Sequence, residues 1–439
     1  MHEFYSPHDP PPQSVPLPIG SRPPPPGDAD RRLLVGMNVG TGCEQITGAL
    51  VAVSGRGLSA RFDPIESVSQ EISDELQVSY QRLLQGGKNQ LRDSLELAAA
   101  LSKMQLSLVR ELLGNASVPA SDVLVLGVHD PGIWRFAKEG SVSYLGLCNA
   151  AFLAETSGMN VVDGFPARDL AGGGLGGPVS AIPQWLLLRT YDRTRLLLNI
   201  GRTVQLTYLP TAEVGSDIHS LLSFDVGPGT FLLDKLSTRL SAGRLQFDPG
   251  GRLAVQGKKI PDLIRHWLAD PYFEEAPPRW HPQGVRSDCE LDETVRMAAE
   301  AGWSIRDLLC TATHFIADCI DRAITVQLPP SAAIDEIIIT GGGQSNGMLL
   351  GEIALRVPGM PLRRIAEIGW PPGLLEATTA AVLAALHVDM VPANHPSITG
   401  TQSPRVLGRL TPGSPGAWRQ LVGHLYAAAP THASLRNAV

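Results

Sequence analysis

One local pattern, used twice, constrains this 439-residue chain more than any other feature. The apolar run Leu33 to Val39 enters the turn Gly40-Thr41-Gly42 and leaves through apolar Gly48 to Val53; about 160 residues later Leu196 to Ile200 enters Gly201 and leaves through Val204 to Pro210. Each is a strand, a glycine turn and a second strand. A chain of this length exceeds one core at roughly 100 to 200 residues per domain, so two lobes are expected, each opened by one of these hairpins.

Helical sequence follows each opening. Two long segments, roughly Ile65 to Leu84 and Leu91 to Leu113, come first, and in the second the apolar residues Leu97, Leu101, Met104, Leu108 and Leu112 recur at helical spacing. Val123 to Val128 is a continuous apolar strand of the kind buried on both faces. Ala150 to Thr156 reads as a short helix, Met159 to Val162 as a strand and Gly172 to Gly177 as a glycine-rich loop. Cys289 to Ala301 and Ser304 to Thr325 read as helices, Ile334 to Thr340 as a strand ending at Gly341 to Gly343, and Gly373 to His387 as a late helix. The fold class is therefore α/β, two helix-covered sheets with a cleft between them. The expected divisions are a disordered proline-rich extension over 1–31, a first lobe over 32–190, a second over 191–415 and a tail over 416–439.

Charge and composition narrow the function. Thirty-six basic against 43 acidic residues leave a net charge of −7, so no global positive field draws nucleic acid or an anionic membrane. The longest apolar runs fall far short of the roughly 18 to 20 residues that cross a bilayer. The N-terminus lacks a basic then apolar leader, and five cysteines without a CxxC suit a reducing compartment, so a cytoplasmic protein without a structural zinc is expected. Ten of the 36 prolines fall in the first 30 residues, a solvated tail by composition, whose Pro23 to Pro26 run also suits a polyproline-recognition domain.

Several segments suit chemistry. Gly40 and Thr41 put backbone N–H groups and a hydroxyl at a hairpin tip able to cradle phosphate, although a plain tight turn explains them equally. Asp225 precedes a Gly-Pro-Gly turn into a helix, where it suits either magnesium or a capping role. Gly341 to Gly343 form a second anion-friendly turn, and Gly343, Ser345 and Gly347 also match a G-x-S-x-G nucleophile elbow, with Asp389 and His395 or His424 as candidate downstream partners. Gly172 to Gly177 fit G-x-G-x-x-G without the strand that a dinucleotide fingerprint requires immediately before it. Asp169, beside Arg168 after a strand, is placed for general-base work or for a solvated ion pair.

Taken in order, GMNVGTGCEQITGALV, VVDGFPARDLAGGGLGGP, LLLNIGRTVQLTYLP, FDVGPGTFLLD, ITGGGQSNGMLL, LLEATTAAVLA and VLGRLTPG resemble the anhydro-N-acetylmuramic acid kinase family, which includes fungal levoglucosan kinases. The resemblance spans about residues 33 to 413. It implies the two-lobed actin, hexokinase and Hsp70-like ATPase fold, with ATP and Mg2+ in a central nucleotide cleft and a sugar whose 1,6-anhydro bond is opened by water before O6 is phosphorylated. It implies Asp169 as the base that activates the water. Gly40 and Thr41 match the first phosphate turn, Asn199 and Gly201 the second, Asp225, Gly227 and Gly229 the D-x-G-P-G block, and Gly341, Gly342 and Gly343 the nucleotide-side glycines. Glu376, His129 and Arg168 fall on the sugar side, and Glu44 and Asp225 on the metal. Homodimers are frequent among sugar kinases of this fold.

The departures are specific. Where the family reads G-T-S-x-D-G-x-D, this chain has Gly40, Thr41, Gly42, Cys43, Glu44, Gln45, Ile46 and Thr47. The family's S-H-G-Q-T is reduced to His129 followed by Asp130-Pro131-Gly132, the second glycine of N-I-G-G is Arg202, and the arginine of D-F-R is Pro166. These losses of phosphate contacts also fit a member that binds without turnover.

Overall fold

The computed structural model describes residues 31–85, 90–130, 132–138, 141–211, 218–280, 288–330 and 332–428. The proline-rich extension lies outside them. Strands β1 (Arg31–Val39), β2 (Gln45–Ser54) and β3 (Arg61–Glu71) form an antiparallel meander, and helices α1 (Asp74–Gln85) and α2 (Gln90–Asn115) follow. The expected segment Ile65 to Leu84 thus divides, its first part completing β3, where polar and apolar residues interleave along an exposed edge. Strand β4 (Val123–His129) returns parallel to β1, and a hairpin of β5 (Trp134–Lys138) and β6 (Ser141–Leu145) leads to α3 (Ala150–Ser157). Strand β7 (Val161–Asp163) adds parallel to β4, and α4 (Phe165–Ala171) and α5 (Ala181–Leu188) close this half.

The second sheet opens with β8 (Arg195–Ile200), β9 (Thr203–Leu209) and β10 (Leu222–Pro228), again an antiparallel meander. Helices α6 (Thr230–Leu240), α7 (Pro261–Leu268), α8 (Asp288–Ala301) and α9 (Ile305–Arg322) precede β11 (Glu336–Thr340), which pairs parallel to β8. Helix α10 (Gly347–Arg356) and β12 (Leu362–Arg364) complete it, in the order β10-β9-β8-β11-β12.

The chain then goes back to the first sheet. Helix α11 (Leu374–Val388) packs across β1, β2 and β4, and after α12 (Pro396–Thr399) the strand β13 (Arg409–Thr411) pairs antiparallel with β7, giving the order β13-β7-β4-β1-β2-β3. The second lobe is therefore not the continuous run 191–415: a linear reading cannot see that an edge strand of only three residues belongs to a sheet begun far upstream. Residues 415–428 are likewise a helix, α13 (Pro415–Ala428), with Leu421 fully buried, rather than the start of a tail.

Alternation along the strands builds the layers. In β2, Ala49, Val51 and Val53 face one core while Ile46 and Leu50 face another; in β11, Ile338 faces the first of these while Ile337 and Ile339 face a third. The shared core lies between the two sheets and contains α5 and α11; α1, α2 and α3 cover the far face of the first sheet, and α6, α7, α9 and α10 that of the second. Helix α11 fits this middle layer because it is rich in alanine and the facing strands carry glycine. A Cβ on Gly36 would lie 2.0 Å from the Ala377 carbonyl oxygen, and one on Gly127 2.3 Å from that of Ala380.

Candidate active site

The carboxyl ends of the parallel strands β1, β4 and β7 lie side by side, as do those of β8 and β11, and the expected site residues cluster at these ends. Asn38 at the end of β1 pairs with His129 at the end of β4, and His129 Nδ1 lies 3.3 Å from Asn38 Oδ1. The β1–β2 turn next to this pair is closed by the Gly40 N–H donating to the Gln45 carbonyl and the Cys43 N–H to that of Gly40. Thr41 is exposed at its tip. Cys43 takes φ 57° and is fully buried, and burial, helped by Glu44, pushes its thiol up to about 12, so it is an anchor and not a nucleophile.

Asp169 sits on α4, which begins directly after β7 because Gly164 turns the chain in the left-handed region and Pro166 suits a first helical turn. That turn is why proline is tolerated where the family has arginine. The Asp169 side chain is fully buried. Its Oδ1 accepts from Asn394 Nδ2 at 2.5 Å and Thr399 Oγ1 at 2.7 Å, and its Oδ2 from the Gly176 N–H at 2.7 Å. The glycine-rich loop is shaped around this carboxylate: a Cβ at Gly174 would lie 2.2 Å from Asp169 Oδ2. Arg168 next to it points into solvent. Asn394 and Thr399 come from the late return of the chain, and nothing in the local sequence around them marks them as partners of Asp169.

On the second sheet three glycine segments meet. The Thr230 N–H and hydroxyl both donate to the Gly201 carbonyl, at 2.8 and 3.1 Å, and the Gly229 N–H donates to that of Arg202 at 2.9 Å. A Cβ at Gly229 would lie 2.2 Å from the Gly201 oxygen, and one at Gly341, which has φ 82°, 2.5 Å from Asn199 Oδ1. Beyond those seams the Cα of Gly342 faces open space, and the nearest atoms to a Cβ on Gly40 or Gly201 would be 3.9 and 3.7 Å away. The turns therefore offer an uncovered backbone surface of the kind a polyphosphate approaches.

Asp225 and Gly227 lie on the β-bulge of β10. The Asp225 backbone carbonyl accepts from Arg279 Nε at 2.7 Å and Tyr272 Oη at 2.8 Å, and Arg279 also donates to Tyr272, Glu275 and Gln327. Arg279, a buried cation missed in the sequence, thus fixes the bulge that carries the D-x-G-P-G block. Glu376 opens α11 and reaches Thr340 at the end of β11 at 3.5 Å, its Oε2 shielded without a protein hydrogen-bond partner, and burial pushes its carboxyl up.

The hydrolase alternative fails on placement. Ser345 is exposed after β11, whereas Asp389 and His424, 3.0 Å apart, are both bonded to Arg32 at the start of β1, and His395 pairs with His219 and Ser397. No serine, histidine and acid triad is assembled from them.

The family whose sequence model matches this chain, over residues 32–413, is anhydro-N-acetylmuramic acid kinase. The chain belongs to that family. Curated relatives named anhydro-N-acetylmuramic acid kinase include those of Caldanaerobacter subterraneus subsp. tengcongensis, 27% identical over 87% of this chain and 97% of that one, and Salinibacter ruber, 30% identical over 87% and 96%. Among solved structures, a ROK family glucokinase from Streptomyces griseus in complex with glucose and AMPPNP is similar at TM-score 0.35 and 12% identity, over 80% of this chain and 98% of that one.

The carboxylates matched to the metal, Glu44 in the β1–β2 turn and Asp225 on β10, belong to different sheets. Among the described residues no three His, Cys, Asp or Glu side chains converge. Asp225 is fully buried beside the neutral Tyr272 phenol and the Arg279 guanidinium, while Glu44 interacts electrostatically with Asp234 of α6 and with Arg202. Asp234 was not expected from sequence; burial, then Glu44, push its carboxyl up to about 7 against the lowering effect of Arg202. No helix among the described residues is long and apolar enough to cross a membrane.

Proposed function

We propose that this kinase-family protein uses ATP to phosphorylate a 1,6-anhydro sugar in the cytoplasm. Asp169 carries the reading. An ionised carboxylate offers about four lone-pair positions. Three are filled by Asn394, Thr399 and Gly176, which fixes the orientation of the group and leaves Oδ2 capacity for a water. In this reading a water adds at the anomeric carbon, its proton passing to Asp169 as the bond from that carbon to O6 breaks. The freed O6 attacks the terminal phosphorus, and the bond to ADP breaks. His129, Arg168 and Glu376 serve the sugar. Gly40, Thr41, Asn199, Gly201, Gly229 and Gly341 to Gly343 serve the phosphates and nucleotide, with Asp225 and Gly227 shaping the strand end beneath them. Backbone donors at glycine turns stabilise the spread charge of phosphoryl transfer.

The test is ADP release with anhydro-N-acetylmuramic acid and with anhydroglucose. Asp169→Asn is expected to lower turnover by about 10² to 10⁴, the usual worth of a general base, with the melting curve still cooperative. A second reading, a member that binds without turnover, draws on the first turn, where Glu44 and Gln45 replace aspartate and glycine. It is the correct one if nucleotide and sugar both bind and no ADP is released.

A further inference from the structure

Arg202 occupies the turn between β8 and β9, where the family's second glycine would leave open space. Its guanidinium carbon lies 4.2 Å from the centre of the Phe231 ring, on the first turn of α6. The stack holds the guanidinium, which is half-buried, against the start of α6, and Gly229, whose N–H bonds the Arg202 carbonyl, locks the backbone that carries it. Three groups lie within its electrostatic reach: the phenol of Tyr80 on α1, Glu44 on the first turn and Asp234 on α6. Tyr80 and Glu44 belong to the first sheet's side and Asp234 to the second, so the charge of Arg202 is felt by groups on both sides.

We propose that Arg202 is a resident cation of the phosphate site, taking over the charge neutralisation of the nucleotide's terminal phosphates, so that nucleotide binding does not require a divalent ion. This rests on the kinase reading above. Glu44 and Asp234 are the two carboxylates whose charge the guanidinium feels, and the cation therefore sits where negative charge already gathers. When a polyphosphate enters, the planar fork can take two of its oxygens at once, which a guanidinium does better than an ammonium.

Calorimetric titration of ATP and ADP, in EDTA and again in excess Mg2+, separates the cases. The native protein is expected to bind in EDTA within about threefold of its affinity in Mg2+. Arg202→Gly, which restores the family residue, and Arg202→Gln are expected to weaken binding in EDTA by roughly ten- to a hundredfold, the worth of a charged hydrogen bond, and to recover most of it in Mg2+. Arg202→Lys keeps the charge and is expected to retain most of the EDTA binding. The glycine and glutamine variants differ in backbone freedom, so agreement between them, with native-like melting curves, ties the loss to the guanidinium. Tighter binding by Arg202→Gly than by the native protein would show that Arg202 blocks the site. That result, or the same Mg2+ dependence in native and variant proteins, overturns this inference while leaving the kinase reading intact. Failure of every variant to bind nucleotide under either condition overturns both.

Discussion

Single residues decide whether this site is usable, and Gly174 shows the tolerance involved. The position has no room for a Cβ because the Asp169 carboxylate fills it at 2.2 Å. Gly174→Ala is expected to destabilise by about 1 to 3 kcal/mol through overpacking and to reduce turnover by displacing the carboxylate, read by melting and by ADP release. Two carboxyls give opposite pH signatures. Burial alone would push Asp389 up, but hydrogen bonds from His424 and Arg32 and the Gly57 N–H hold it well below the usual carboxylate range. The unfolded chain takes up that proton near pH 4 and the folded chain does not, so the contribution is full above about pH 4 and is lost as pH falls further. Asp234 runs the other way: its folded form takes up a proton at about 7, the unfolded one near 4, so its contribution declines as pH rises through that interval. Asp389→Asn is expected to flatten the acid limb of a chemical-denaturation series, and Asp234→Asn to remove the decline between about pH 4 and 7.

Helix α11 packs against its sheet with no room to spare. Its alanines let its backbone approach β1 and β4, and Gly36 and Gly127 provide the matching clearance. Gly36→Ala places a methyl 2.0 Å from the Ala377 carbonyl oxygen and is expected to cost about 1 to 3 kcal/mol, measured by urea unfolding, with the loss concentrated in stability and not in nucleotide affinity. Most elements were legible in the sequence because periodicity carries them: α2, β4, α3, β8, β9, β11 and α11 all lie where the apolar spacing puts them. What periodicity cannot carry is partnership. The three-residue β13 has too few positions to show alternation, and Asn394, Thr399, Arg279 and Asp234 acquire their roles from segments distant in the chain. Asp169 could be picked out beside its glycines, but its two side-chain hydrogen-bond partners lie 225 and 230 residues away. Arg202 stood out only as a departure from a family pattern; its stacking partner Phe231 made it a structural feature.

For the whole molecule, the return of residues 374–411 to the first sheet means that neither half of the linear sequence is a complete folding unit. A fragment ending near residue 190 lacks α11 and β13, leaving the apolar faces of β1, β2 and β4 uncovered on one side and the edge of β7 unpaired. Such a fragment is expected to show no cooperative thermal transition and to bind the dye ANS, whereas the 32–428 chain melts as one unit. The same return has a mechanical consequence. The two sheets are joined covalently at two places, between α5 and β8 and between β12 and α11. A body held by one tether can drift in any direction, but a body held at two points can only swing about the line through them. Relative motion of the two sheets is thereby limited twice over, by the two connections and by the core that α5 and α11 fill between them.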